Sequence, residues 1–89
     1  MQVFKVSRKV DVVCEASKTR NGFKHEATLV ISGQSRNTVK CNYQNRTWES
    51  FTYQTVLDKL LDQVKDEITP YELLTPYELR KFKHIVKHG

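Results

Sequence analysis

Asn45-Arg-Thr-Trp-Glu-Ser-Phe-Thr-Tyr-Gln-Thr-Val-Leu-Asp-Lys-Leu-Leu-Asp-Gln-Val64 joins the densest aromatic cluster of the chain to its most regular helical pattern. From Tyr53 onward, Val56, Leu57, Leu60, Leu61, Val64 and Ile68 recur at spacings of three and four, which places them on one side of a helix of about 3.6 residues per turn. Asp58, Lys59, Asp62, Gln63 and Asp66 fall on the opposite side, toward water. Ser50 is the expected N-cap, because its hydroxyl can accept from the free amides of the first turn, so the pattern predicts a helix over 50–68. A helix with one apolar stripe must bury it against another apolar surface.

That surface is predicted upstream. Residues 3–16 are rich in β-branched side chains, and Phe4, Val6, Val10, Val12, Cys14 and Ala16 share parity, which reads as one face of a single strand interrupted only by Arg8. Asn21-Gly22 predicts a hairpin turn, since both residues tolerate positive φ. Phe23, His25, Ala27, Leu29 and Ile31 then alternate with polar neighbours and with Val30 as a half-buried antiparallel strand. After a second turn at 33–37, residues 38–43 predict a third strand with Val39, Cys41 and Tyr43 inward. The outward positions, among them Lys5, Ser7, Lys9, Asp11, Glu15, Lys24, Glu26, Thr38 and Lys40, carry no aromatic ring. Stacking of single-stranded bases on an exposed sheet needs such rings, so an RNA-recognition-motif mechanism is disfavoured.

Near the C-terminus, Thr69-Pro-Tyr-Glu-Leu73 is echoed by Thr75-Pro-Tyr-Glu-Leu79. Each copy has Thr as cap, Pro where a missing amide costs nothing, and Glu placed to return to the cap amide. The first copy predicts a single turn or bend. The second predicts a helix over 76–87 with Leu79, Phe82, Ile85 and Val86 as its apolar stripe. The expected architecture is one α+β domain over 1–89, a three-stranded antiparallel meander packed on one face by two C-terminal helices in the order β-β-β-α-α. Leu57, Leu60, Leu61 and Val64 should meet Val12, Leu29, Ile31 and Val39.

The composition fits a folded chain, with 38% hydrophobic residues and only 3 Gly and 2 Pro. No apolar run has signal-peptide or membrane-spanning length, so a cytoplasmic location, in a host bacterial cell, and no membrane partner are expected. Cys14 and Cys41 lack a Cys-x-x-Cys partner and are expected to be buried reduced thiols, with no metal and no cofactor. The formal charge is +5, distributed as +5 over residues 1–50, −3 over 51–74 and +3 over 75–89. A basic balance favours a polyanionic partner and argues against an acidic, DNA-mimicking inhibitor.

Motifs for chemistry are sparse. His84 and His88 have the spacing that lets two imidazoles share a metal, but no third ligand accompanies them, and Lys81, Lys83 and Lys87 would repel a cation. They read as exposed histidines in a basic tail, and His25 reads as a hydrogen-bonded core histidine. There is no Gly-rich phosphate loop, nucleophile elbow or close carboxylate pair, so neither an enzyme nor a small-molecule substrate is expected. Arg46 interleaves with Tyr43, Trp48, Phe51 and Tyr53. These aromatics either plug the junction between strand and helix or form a recognition spot built on Arg46 and Trp48. Lys18 and Arg20 beside the first hairpin turn, with Arg80, Lys81, Lys83 and Lys87 on the last helix, complete the candidate partner-binding residues.

The segment Asn45-Arg-Thr-Trp-Glu-Ser-Phe-x-Tyr-Gln-Thr-Val-Leu-x-Lys-Leu-Leu resembles one found in small proteins of bacteriophages and other mobile elements of Gram-positive bacteria. It covers about a fifth of the chain and carries no catalytic residue over. The resemblance implies a non-enzymatic regulator, or an inhibitor of host defence such as an anti-CRISPR protein, whose partner is a host nucleic-acid-handling protein. Direct DNA or RNA binding through the basic surface is the alternative.

Overall fold

A computed structural model of the protein describes residues 1–46, 52–66 and 73–88. Four strands, β1 (Gln2–Lys5), β2 (Val10–Thr19), β3 (Gly22–Ile31) and β4 (Gln34–Gln44), precede two helices, α1 (Gln54–Lys65) and α2 (Pro76–His88). The strands form one antiparallel sheet in the order β1-β2-β3-β4, and the helices pack on it. The α+β class stands as expected, but the meander has four strands rather than three.

The additional strand arises because residues 3–16 are a hairpin. Val6 and Ser7 both donate their amides to the Val10 carbonyl, at 3.0 and 3.1 Å, and the Ser7 hydroxyl accepts from the amides of Lys9 and Val10, each at 3.2 Å. A serine offering its side chain to the backbone two and three residues on is a turn former. Ser7 and Lys9 therefore lie in the turn rather than on the outer face of a strand. β1 then folds back on β2 with Phe4 opposite Val12 and Lys5 opposite Asp11. Lys5 Nζ lies 3.2 Å from Asp11 Oδ1, a contact of charge rather than an aligned hydrogen bond.

The other two turns also differ from expectation. Thr19 pairs with Gly22, so Arg20 and Asn21 form the loop, and among the described residues positive φ occurs only at Ser32, Gly33 and Asn45. Gly22 is needed for a different reason: a Cβ there would lie 1.8 Å from the Tyr43 carbonyl oxygen of the neighbouring strand. Ser32 at φ 52° and Gly33 at φ 79° are the residues that make a tight turn twisted with the strands, so β4 begins at Gln34, earlier than predicted. An irregularity between Leu29 and Val30 absorbs the change in register.

One face of the sheet carries Val10, Val12, Cys14, Phe23, Ala27, Leu29 and Cys41, all buried, and meets Val56, Leu57, Leu60, Leu61 and Val64 of α1. Ile31 and Val39 are half-buried at the margin of this core. Phe82 and Val86 of α2 are buried, with Leu79 and Ile85 half-buried beside them, so the predicted stripe is the packing face. Helix α1 is shorter than the predicted 50–68. It starts at Gln54 with Tyr53 in the N-cap position, and Thr52 Oγ1 accepts from the Gln54 amide at 3.4 Å. Ser50, the predicted cap, and Thr69–Glu72, the first Thr-Pro-x-Glu copy, lie outside the described residues.

The second copy is realised as a capping box. Thr75 Oγ1 accepts from the Glu78 amide at 3.2 Å, while Glu78 Oε1 accepts from the Thr75 amide at 3.0 Å. The other carboxylate oxygen of Glu78 accepts from the Ser7 hydroxyl. One glutamate thus starts α2 and fastens it to the β1–β2 turn. At its far end α2 is held by Gln54, whose amide group donates to the Val86 carbonyl at 3.2 Å. Among the described residues, no helix is long and apolar enough to cross a membrane.

Candidate functional site

Three chemically versatile side chains, His25, Cys14 and Cys41, are buried, whereas His84 and His88 are exposed. His25 is 2% exposed, with its ring 5.1 Å from Phe23, 4.8 Å from Tyr53 and 5.4 Å from Tyr43. Burial lowers its pKa, so the imidazole is neutral at pH 7. The expected hydrogen bond is not made by Nδ1, which has no partner among the described residues. The rings of Phe23, Tyr43 and Tyr53 pack around the imidazole. Cys14 and Cys41 are free and buried on strands separated by β3, and burial pushes the Cys14 thiol up to about 11, away from thiolate reactivity. Tyr43 and Tyr53 are half-buried against the core, and Phe23 stacks on Tyr43 at 4.6 Å, while Trp48 and Phe51 of the same aromatic cluster lie outside the described residues.

The predicted partner residues do not form one surface. Lys18 and Arg20 are exposed at the β2–β3 tip. Exposed Arg46 follows the end of β4 at this same tip, where the Asn45 amide donates to the Asn21 carbonyl at 2.6 Å, and its charge acts on Tyr43. Trp48 lies outside the described residues. Of the four cations of α2, Arg80, Lys83 and Lys87 share one side at about 100° per residue, while Lys81 points some 200° from Lys83, on the opposite flank of Phe82. Lys83 and Lys87 border a groove against α1 that also holds Asp58. Lys81 faces the β1–β2 turn. The His84 and His88 rings lie 4.5 Å apart and tilted by 45°, and no group of three or more metal-ligating side chains occurs among the described residues.

Sequence reasoning missed the groove that Lys81 does line. It runs between the β1–β2 turn and the first turn of α2, and Val6, Arg8, Lys9, Tyr77 and Glu78 border it. Tyr77 is 62% exposed, which is unusual for a large aromatic side chain. Tyr77 and Lys81 are four apart and share one helix face. Burial acts to raise the Glu78 pKa, but hydrogen bonds from Ser7 and from Thr75, with the charge of Lys9, hold it below the ordinary carboxyl value. The groove lining therefore carries the negative charge of Glu78 together with the cations Arg8, Lys9 and Lys81. A signal for the turn was present in Ser7-Arg8-Lys9, a break of three polar residues in a β-branched run.

The outer face of the sheet offers a weaker surface. Glu26 Oε1 lies 3.3 Å from Lys24 Nζ and 3.5 Å from Lys40 Nζ, and the Thr28 and Thr38 hydroxyls are 3.1 Å apart. Its charges are thus largely compensated in place. Compared with family models, curated proteins and solved structures, the chain matches none of them.

Proposed function

We propose that the protein is a small non-enzymatic regulator or inhibitor of phage or mobile-element type, which docks on a host protein that handles nucleic acid, as an anti-defence protein does. The observation that carries docking is Tyr77, exposed on a preorganised helix start with Arg8, Lys9 and Lys81 around it. Aromatic and Arg side chains in such settings dominate interface energetics. The phage context rests on the resemblance of residues 45–61. Burial of His25, Cys14 and Cys41 supports a non-enzymatic reading, since all three are withdrawn into the core.

A host protein is favoured over nucleic acid by the arrangement of charge. The ten residues of β2 separate the Arg8 turn from the Arg20 tip by on the order of 30 Å, with compensated charges on the sheet face between. Of the α2 cations, Lys81 lies toward the β1–β2 turn, on the other flank of the helix from Arg80, Lys83 and Lys87. A pull-down from host lysate with and without nuclease tests the reading. One stoichiometric protein retained after nuclease treatment is the expected result, and loss of all captured protein would overturn it in favour of direct DNA or RNA binding.

A further inference from the structure

We infer that the groove between the β1–β2 turn and α2 receives an acidic peptide segment that carries an aromatic or branched apolar anchor. The inference rests on the protein-docking reading above and names the chemistry of the partner. Tyr77 supplies the apolar half of recognition, and its position is fixed. Pro76 has a restricted φ, and the capping box of Thr75 and Glu78 locks the turn on which the ring stands. An anchor side chain laid on that ring meets Val6 at the base of the groove.

Arg8, Lys9 and Lys81 supply the charged half. The turn bearing Arg8 and Lys9 is held by the Ser7 hydroxyl, so less backbone freedom is lost when they engage a ligand. Carboxylates of a peptide can be placed toward these cations and away from Glu78. A nucleic-acid backbone carries charge at a fixed repeat and so has less freedom to keep it away from the Glu78 carboxylate, which lines the same groove and repels like charge. This charge pattern favours protein acid over phosphodiester.

The test uses the full chain and fluorescence anisotropy at low salt, with a labelled peptide of Glu and Asp around one Phe as probe. A second peptide with Ala for Phe and a labelled single-stranded oligonucleotide serve as comparisons. We expect Tyr77→Ala to weaken the Phe peptide by about tenfold and the Ala peptide much less, because the two aromatic groups act as a pair. The double variant Arg8→Ala/Lys9→Ala should weaken both peptides by about tenfold, and Lys18→Ala/Arg20→Ala by less than about twofold. Circular dichroism checks that each variant is folded, and Tyr77→Gln replaces Tyr77→Ala if that variant is not. Equal binding of both peptides, indifference to the Tyr77 and Arg8/Lys9 variants, or tighter binding of the oligonucleotide would each overturn the inference. If a nuclease-resistant protein partner is retained equally by the parent and these variants, the groove is wrong while the docking reading stands. Loss of every protein partner to nuclease removes the docking reading itself.

Discussion

The two ends of the sheet both carry cations at tight turns, yet they are held by different means. At the Arg20-Asn21 tip the backbone does the holding: the Asn45 amide donates to the Asn21 carbonyl, and Gly22 packs directly on the main chain of Tyr43. At the opposite end the side chains of Ser7, Thr75 and Glu78 bond turn to helix. A backbone-held end is intolerant at one position but says little about where neighbouring side chains point. A side-chain-held end orients its neighbours, and it is here that an exposed aromatic ring stands among three cations. Charge on a fixed frame beside an apolar group is a better candidate for recognition than charge alone.

The largest expected effect lies between the two ends and supplies their yardstick. Leu60→Ala empties a fully buried position of α1 and should cost about 2–5 kcal/mol in urea unfolding. A variant as stable as the parent would show that the inner face is assigned wrongly. At the tip, Gly22→Ala drives a methyl into the Tyr43 carbonyl and should cost about 3 kcal/mol, as overpacking against a backbone that cannot yield does. Gly33→Ala, in open space but at φ 79°, should cost only about 1 kcal/mol. Equal losses would mean that close approach is not what the tip depends on.

At the other end the expected losses are smaller. Thr75→Ala should cost about 1 kcal/mol through the lost cap. The carboxyl of Glu78 is held below its ordinary value of 4.5, so its stabilisation is complete above that pH and is lost as pH falls through the folded value. His25 acts at higher pH. Its folded pKa is lowered from 6.5 by burial, so below that pH the unfolded imidazole binds a proton that the folded one resists, and stability falls. Melting temperatures followed downward from pH 7 should fall first in the His25 window and then in the Glu78 window. His25→Phe should flatten the first fall and Glu78→Gln the second. If Glu78→Gln leaves the acid limb unchanged, the side-chain clasp does not hold that end.

Much of this construction was legible in one dimension. The stripe of Val56, Leu57, Leu60, Leu61 and Val64, the alternation from Phe23 to Ile31, and the Thr75-Pro76-x-Glu78 start are local periodicities, and local geometry enforces them whatever lies nearby. Tertiary structure decided what depends on which segments meet. The fourth strand escaped notice because partners across the β1–β2 turn share parity, Phe4 with Val12 and Lys5 with Asp11, so a hairpin and one long strand present the same inward set. The local hints were the polar break Ser7-Arg8-Lys9 and length, since a strand over 3–16 exceeds the usual span of about 3–10 residues. The requirement for glycine at position 22 comes from the approach of a neighbouring strand, which no turn rule contains. Ser7 and Glu78 are 71 positions apart and bonded. That contact, with the groove of Arg8, Lys9, Tyr77 and Lys81 around it, exists because the packing of α2 on the sheet brings two distant turns together.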